Sequence, residues 1–313
     1  MITNKLNLPQ PFVDAVTSDH VYKPNRYSVT EVLGGTCEAI LKREHQGEQE
    51  EDVADRVWAI FGTAVHKVLQ ESEATASQLQ EEWLSIPIEG TEFEMSGVFD
   101  LYDDKTGTVT DYKTTSVWTV TFGDFDKWRA QVLLYCLMLR KHGFDARSGE
   151  IVALLRDHSQ RKARTEMDYP KHPVFRIVWD FTAEDFASAE DEVSQWFDRL
   201  STQLATHRIY GDEALEPCNP SERWHKPDKW AVMRKSQKKA VRLLNSKDLA
   251  LEYMDWLSNQ PSSKGKGLYI EHRPGEDTRC ESYCSVAEFC PHGRKLVEKF
   301  LDSQGDADSD VLY

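Results

Sequence analysis

Apolar and polar positions change period several times along this chain. Between Asp52 and about Trp83, the residues Val57, Trp58, Ile60, Phe61, Val65, Val68 and Leu69 recur at spacings of three and four, which predicts one long helix with a broad apolar stripe. From Gly97 the pattern shortens. GVFDLYDDKTGTVTDYKTTS (97–116) has two β-prone arms around DDKTG, with Gly107 free to take a positive φ, and reads as a hairpin. Asp124 to Lys141 returns to helical spacing and stops near Gly143. EIVALL (150–155) and VFRIVW (174–179) read as strands, and Phe181 to about Leu204 as a third long helix. This order predicts an α/β (α+β) domain, a mixed central sheet flanked by helices. From about Tyr210 the chain turns basic and Trp-rich, then helical, and reaches a cysteine cluster. The expected organisation is an N-terminal extension (1–26), a core (27–209), a basic and cysteine-cluster lobe packed on it (210–300) and an acidic disordered tail (301–313).

Charges inside the hairpin need an explanation, because Asp and Lys are depleted in strands. If the loop centres between Lys105 and Thr106, partners across the hairpin have numbers summing to 211. Asp100 then faces Asp111, with Cβ atoms roughly 5 Å apart. Lys113 shares a face with Asp111 because strand side chains repeat every two residues. Opposed carboxylates are destabilising unless something positive lies between them, and hard oxygen donors suit Mg²⁺ or Mn²⁺. A slip of one residue would put the two aspartates on opposite faces, as ordinary rim charges.

The chain has 313 residues, 40% hydrophobic and 29% charged, the make-up of a water-soluble globular protein. No apolar run approaches a membrane span and the start MITNKLNLPQ lacks a signal-peptide pattern. A cytoplasmic, reducing location is expected, where six cysteines are better metal ligands or core thiols than disulfides. Net charge is −15, which argues against nonspecific nucleic-acid binding by the whole chain. The stretch 223–242 departs from that balance. Its Arg223, Lys226, Lys229, Arg234, Lys235, Lys238 and Lys239 could follow a phosphate backbone, with Trp224 and Trp230 to stack on bases; the plainer reading is a solvated helix face.

Other constellations join these. GTAVH (62–66) sets Gly62 and His66 on one helical face, the glycine letting the helix approach a sheet and the histidine pointing at what that sheet presents. QVLLY (131–135) sets Gln131 and Tyr135 at i and i+4, with Cys136 as a buried thiol. RCESYCSVAEFCPHG supplies Cys280, Cys284 and Cys290 within eleven residues. Thiolates favour zinc, with His292 as a local fourth ligand, or an iron–sulfur cluster, whose fourth cysteine would be Cys218 or Cys37.

GTAVH, GVFD, DYK and QVLLY stand in the order and rough spacing of the RecB-like branch of the PD-(D/E)XK nuclease superfamily, which the chain resembles from about Tyr27 to Gly293. The cysteine triplet resembles the iron–sulfur members of that branch, such as AddB-type and CRISPR-associated nucleases, and phage-encoded exonucleases are similar. The resemblance implies a restriction-endonuclease-like core. It implies that Asp100, Asp111 and His66 bind Mg²⁺ or Mn²⁺, that Tyr112 offers its backbone carbonyl, and that Lys113 helps activate the attacking water. Gln131 and Tyr135 would position substrate, and a [4Fe–4S] cluster would sit on Cys280, Cys284, Cys290 and Cys218. Cys37 is the alternative fourth ligand and Zn²⁺ the alternative metal. Cys280 and Cys284 are separated by three residues, where relatives often have two.

These readings lead to a metal-dependent DNA nuclease, an exonuclease on single strands or ends in phage-type recombination, repair or processing. A recombination or helicase protein is a possible partner, since no GxxxxGK[ST] phosphate loop is present. The competing expectation is a nucleic-acid-binding protein with a zinc-bound C-terminal module and an inactive core.

Overall fold

The computed structural model describes residues 2–17, 21–49, 51–235, 237–260 and 266–305. The chain divides into two compact units, Met1–Ile209 and Tyr210–Tyr313.

The first unit is built on a six-stranded mixed sheet: β1 (Arg26–Ser28), β2 (Gln78–Pro87), β3 (Glu94–Asp103), β4 (Thr108–Thr115), β5 (Ser148–Leu155) and β6 (Val174–Asp180). β3 is its hub. Antiparallel β2 runs along one edge of β3 for its whole length. On the other edge, parallel β1 pairs Glu94 to Ser96 and antiparallel β4 pairs Leu101 to Asp103. β4 continues in parallel with β5, and β6 closes the sheet antiparallel to β5. Phe99, Tyr102, Met95 and Ile151 point into a fully buried core with Met138, Leu139 and Phe197 from flanking helices.

Five labelled helices surround the sheet: α1 (Val57–Gln70), α2 (Val117–Phe122), α3 (Asp126–Lys141), α4 (Gln160–Thr165) and α5 (Ala183–Tyr210). The hairpin, α3, both later strands and the long helix follow the sequence pattern closely. The first helix does not. It begins near Asp52, whose carboxylate accepts the Ala54 amide, but it ends at Gln70, and Gln78–Pro87 is a strand. QLQEEW is composed of good helix formers; pairing with β3 along nine residue positions overrides that preference. α1 also buries none of its residues fully. Its apolar stripe is split, with Ile60, Val65 and Leu69 half-buried and Trp58, Phe61 and Val68 exposed.

In the second unit, β7 (Lys229–Arg234) lies between β8 (Arg242–Leu244) and β9 (Leu268–Arg273), all antiparallel. α6 (Lys247–Ser258) and α7 (Pro291–Gly305) complete it, with a short helix at Thr278–Ser282. The basic stretch is therefore a central strand and its flanks, not a helix face, because Ala231, Val232 and Met233 are buried between the basic ends. Of the tail expected over 301–313, residues 301–305 belong to α7 and 306–313 lie outside the described residues. Among the described residues no helix is long and apolar enough to cross a membrane.

Candidate active site

The hairpin register is the one the turn predicts. Leu101 faces Thr110, Tyr102 faces Val109 and Asp103 faces Thr108, each pair summing to 211. Gly107 closes the loop at φ +67°, and a Cβ there would strike the Asp145 carbonyl. Asp100 and Asp111 come next along the same register, at the point where β3 and β4 stop pairing. Beyond it, Asp111 pairs only with β5, opposite Ile151. The Tyr112 amide donates to Asp100 Oδ2 at 2.6 Å. A carboxylate thus takes the place of the next ladder bond, at the mouth of a fork between two strands.

Two further groups close on this mouth. His66, from α1, places Nδ1 3.1 Å from Asp100 Oδ1 and 3.6 Å from Glu81 Oε1. Ligand atoms of His66, Glu81 and Asp100 all lie within 4.8 Å of one another. Glu81 was not expected from the sequence, since its strand was read as helix. It stands across β2 from Asp100, and its own φ of +50° is unusual for a strand residue with a side chain. Strain of this kind, about 1–3 kcal/mol, persists where the surroundings enforce it.

Asp111 is not among these clustered ligand atoms. It is 3% exposed, and Lys113 Nζ sits 2.7 Å from its Oδ2. That contact has the distance of an ion pair but not the angles of a hydrogen bond, so Oδ2 is buried with no directional donor. Lys113 Nζ donates to Gln131 Oε1 at 2.8 Å, which ties the hairpin to α3. One turn on, the Tyr135 ring covers Gly97: a Cβ there would lie 2.7 Å from Tyr135 Cε1. This links GVFD to QVLLY, because only glycine lets that ring reach the open edge of β3. Gly62 has no such role. A Cβ on it would meet only Thr114 Oγ1 at 3.9 Å, so the close approach expected of this glycine is not what the helix uses.

The electrostatics follow. Two carboxylates about 5 Å apart repel by about 3 kcal/mol at an effective dielectric near 20. The Asp100 hydrogen bond raises the His66 imidazole to about 9 against the opposing effect of burial, so His66 carries a positive charge here at neutral pH. Burial pushes Asp111 up to about 6, with Lys113 pulling the other way. Burial and then Asp100 raise Glu81. Burial pushes the Tyr135 phenol up to about 12, keeping it protonated. The negative wall draws protons, as a cation site does without its cation. Three carboxylates, one of them with an orphaned buried oxygen, and an imidazole form a donor set that fits a hard divalent ion.

A family model, the PD-(D/E)XK nuclease superfamily, matches residues 35–291. The chain belongs to this superfamily. Its members are nucleases that use divalent metals such as Mg²⁺ or Mn²⁺, which agrees with the donor set just described. No curated protein matches the chain. Among solved structures, the crystal structure of SSO0001 is similar at 14% identity and a TM-score of 0.42, covering 59% of this chain and 79% of that one. A phage related exonuclease from Haemophilus somnus 129PT is similar at 12% identity and a TM-score of 0.31, covering 56% and 83%.

The remaining candidate residues of this PD-(D/E)XK chain divide by unit. Cys37 is buried in the helix Thr36–Glu44 of the first unit. Cys136 is buried too, its thiol donating to the Ser148 carbonyl and pushed up to about 12 by burial. In the second unit, burial raises the Cys280 thiol to about 12, and Cys284, Cys218 and Cys290 each add to the rise. Four thiols therefore gather in that unit. No three of them come within 4.8 Å of one another among the described residues. His292 Nε2 is 2.6 Å from Asp277 Oδ2, and Arg223 Nη1 donates to the same oxygen. Both are thus committed to a buried carboxylate. Lys226 pairs with Glu276 and Lys229 donates to Asn245. Trp230 stacks on His272 and Trp224 packs against Tyr283. Arg234 is half-buried at the end of β7, and Lys235, Lys238 and Lys239 are exposed.

Proposed function

We propose that this chain hydrolyses DNA phosphodiester bonds with Mg²⁺ or Mn²⁺, as an exonuclease on single strands or DNA ends. The observation that carries the reading is the fork of β3 and β4, where the hairpin ladder gives out next to Asp100 and Asp111 and Lys113 lies 2.7 Å from Asp111. In this reading Asp100, Asp111, His66 and Glu81 hold the ion, with the Tyr112 carbonyl beside them. Held there, a divalent ion would supply Lewis-acid polarisation of the phosphate and lower the pKa of a bound water. The chain's own groups do the rest. The Tyr112 amide fixes Asp100, so its other oxygen faces the site. Lys113, held between Asp111 and Gln131, keeps a positive charge where the attacked phosphate gains negative charge. Gln131 and Tyr135 fix the rim against which substrate lies. In the second unit, Cys218, Cys280, Cys284 and Cys290 would hold a structural [4Fe–4S] cluster. The convergence of their charges on Cys280 supports Cys218 over Cys37.

The test uses end-labelled single- and double-stranded DNA with and without Mn²⁺. Wild type should shorten labelled DNA only with metal, and Asp111→Ala should bind DNA without cutting it. Near wild-type cleavage by that variant would remove the assignment.

A further inference from the structure

The strand that carries Asp111 and Lys113 runs directly into a set of exposed aromatic rings. β4 ends at Thr115, and Ser116 caps α2, its hydroxyl accepting the Thr119 amide. Val117 is buried and its amide donates to Asp157 Oδ1 at 2.7 Å. With its first turn pinned from both sides, α2 holds Trp118 and Phe122 outward. They are 69% and 66% exposed, with ring centroids 4.2 Å apart. Both line a cleft of about 670 Å³ whose other walls include Lys162, Met167 and Tyr169 and the carboxylates Asp157, Glu166 and Asp168. A second pair stands on the α1 side of the same strand end. Arg156 donates its amide to the Thr115 carbonyl and lays its guanidinium over the Trp58 ring at 4.1 Å. Trp58 and Phe61 are 5.6 Å apart, each about half exposed.

Burying a large apolar side chain contributes about 1.5–3 kcal/mol, so four fixed, exposed rings in one region forgo several such increments. They lie along the continuation of the acidic strand: four residues from Lys113 to Val117 span about 13 Å at strand rise. Flat rings with a guanidinium and an ammonium beside them match the chemistry of unpaired nucleobases and their phosphates. A duplex hides its base faces inside its own stack; a single strand presents them.

We propose that Trp118 and Phe122, with Trp58 and Arg156, form a stacking platform for the unpaired bases of a single strand whose phosphate lies in the acidic site. This rests on the proposed nuclease reading and narrows its substrate to single-stranded DNA.

The experiment measures binding of full-length protein to a fluorescent single-stranded oligothymidine and to a blunt duplex of equal length, in Ca²⁺ to prevent cleavage. Trp118→Leu combined with Phe122→Leu keeps apolar bulk and removes the ring faces, and Trp118→Phe keeps a face. The Leu pair should lose about 10- to 100-fold in single-strand affinity. Duplex binding and Mn²⁺ affinity by calorimetry should stay unchanged, and Trp118→Phe should stay within a few-fold of wild type. Equal single-strand affinity in the Leu pair overturns the platform. So does an equal loss for duplex, or a change of oligomeric state in light scattering without a change in single-strand binding, which would mark a protein interface. If wild type cuts no DNA yet the Leu pair still loses single-strand binding, the platform stands and the nuclease reading falls.

Discussion

The two donor groups of this chain are built in opposite ways. In the first unit, Glu81, Asp100 and Asp111 sit on three neighbouring strands, and ladders on either side set their spacing. In the second, Cys218 precedes a turn, Cys280 lies in a five-residue helix and Cys290 immediately precedes α7. Between them stand a two-residue strand pair and the Asp277 ion pairs. Backbone register holds one group without a ligand. The other hangs on short elements that a ligand would have to order. A site carried by ladders separates chemistry from stability, and a site carried by loops joins them.

The largest effect should fall on the ladder-built site. Asp111→Ala or Lys113→Ala should lower DNA cleavage by about 10³-fold or more, with the circular-dichroism melt nearly unmoved. Loss of activity together with unfolding would break the comparison. Next, Cys280→Ser should abolish the protease resistance of the second unit and spare the first, read by limited proteolysis and mass spectrometry. A chelator of hard ions should do the reverse, stopping cleavage while the second unit stays resistant. Glu81→Gln should follow, with Mn²⁺ affinity down by about 10-fold in calorimetry and the fold intact. If Mn²⁺ binds that variant as tightly as wild type, the third carboxylate is only a neighbour.

Smaller effects separate the two motif glycines. Gly97→Ala should cost about 1–3 kcal/mol, because its Cβ would meet the Tyr135 ring. Gly62→Ala should stabilise by about 0.5–1 kcal/mol, since the site is open and the position is mid-helix. Denaturant melts distinguish them. A further effect is that of pH. Asp111 is raised from 3.8 to about 6 and His66 from 6.5 to about 9. Their contributions to metal-free stability are therefore complete below 3.8 and 6.5, and fade as pH rises through 6 and then 9. Melts in chelator should soften over that window, while Mn²⁺ affinity rises as the competing protons leave.

The register of the hairpin was legible because a four-residue turn ending in glycine fixes which residues stand opposite one another, although the ladder stops one pair short of Asp100 and Asp111. The helix of Gln131 and Tyr135 was legible because its sixteen residues, rich in helix formers and stopped near Gly143, are too long for an ordinary strand. Glu81 was not legible. Its strand opens on Gln, Leu and Glu, whose local preference is helical, and nothing in local composition reveals a left-handed residue enforced by a neighbouring strand. The role of Gly97 was also hidden, since it depends on a tyrosine ring arriving from a helix 38 residues on. Position along an element can be read from one segment; contact between elements cannot.

The bond from the Tyr112 amide to Asp100 gives this carboxylate a handedness. One oxygen is spoken for by the main chain and the other looks towards His66. An amide of the same shape would have to keep its oxygen on that N–H, and its NH₂ would then swing outward. Asp100→Asn would thus do more than delete a charge. It would aim a donor dipole at the spot meant for a cation, turning an isosteric swap into an active repulsion.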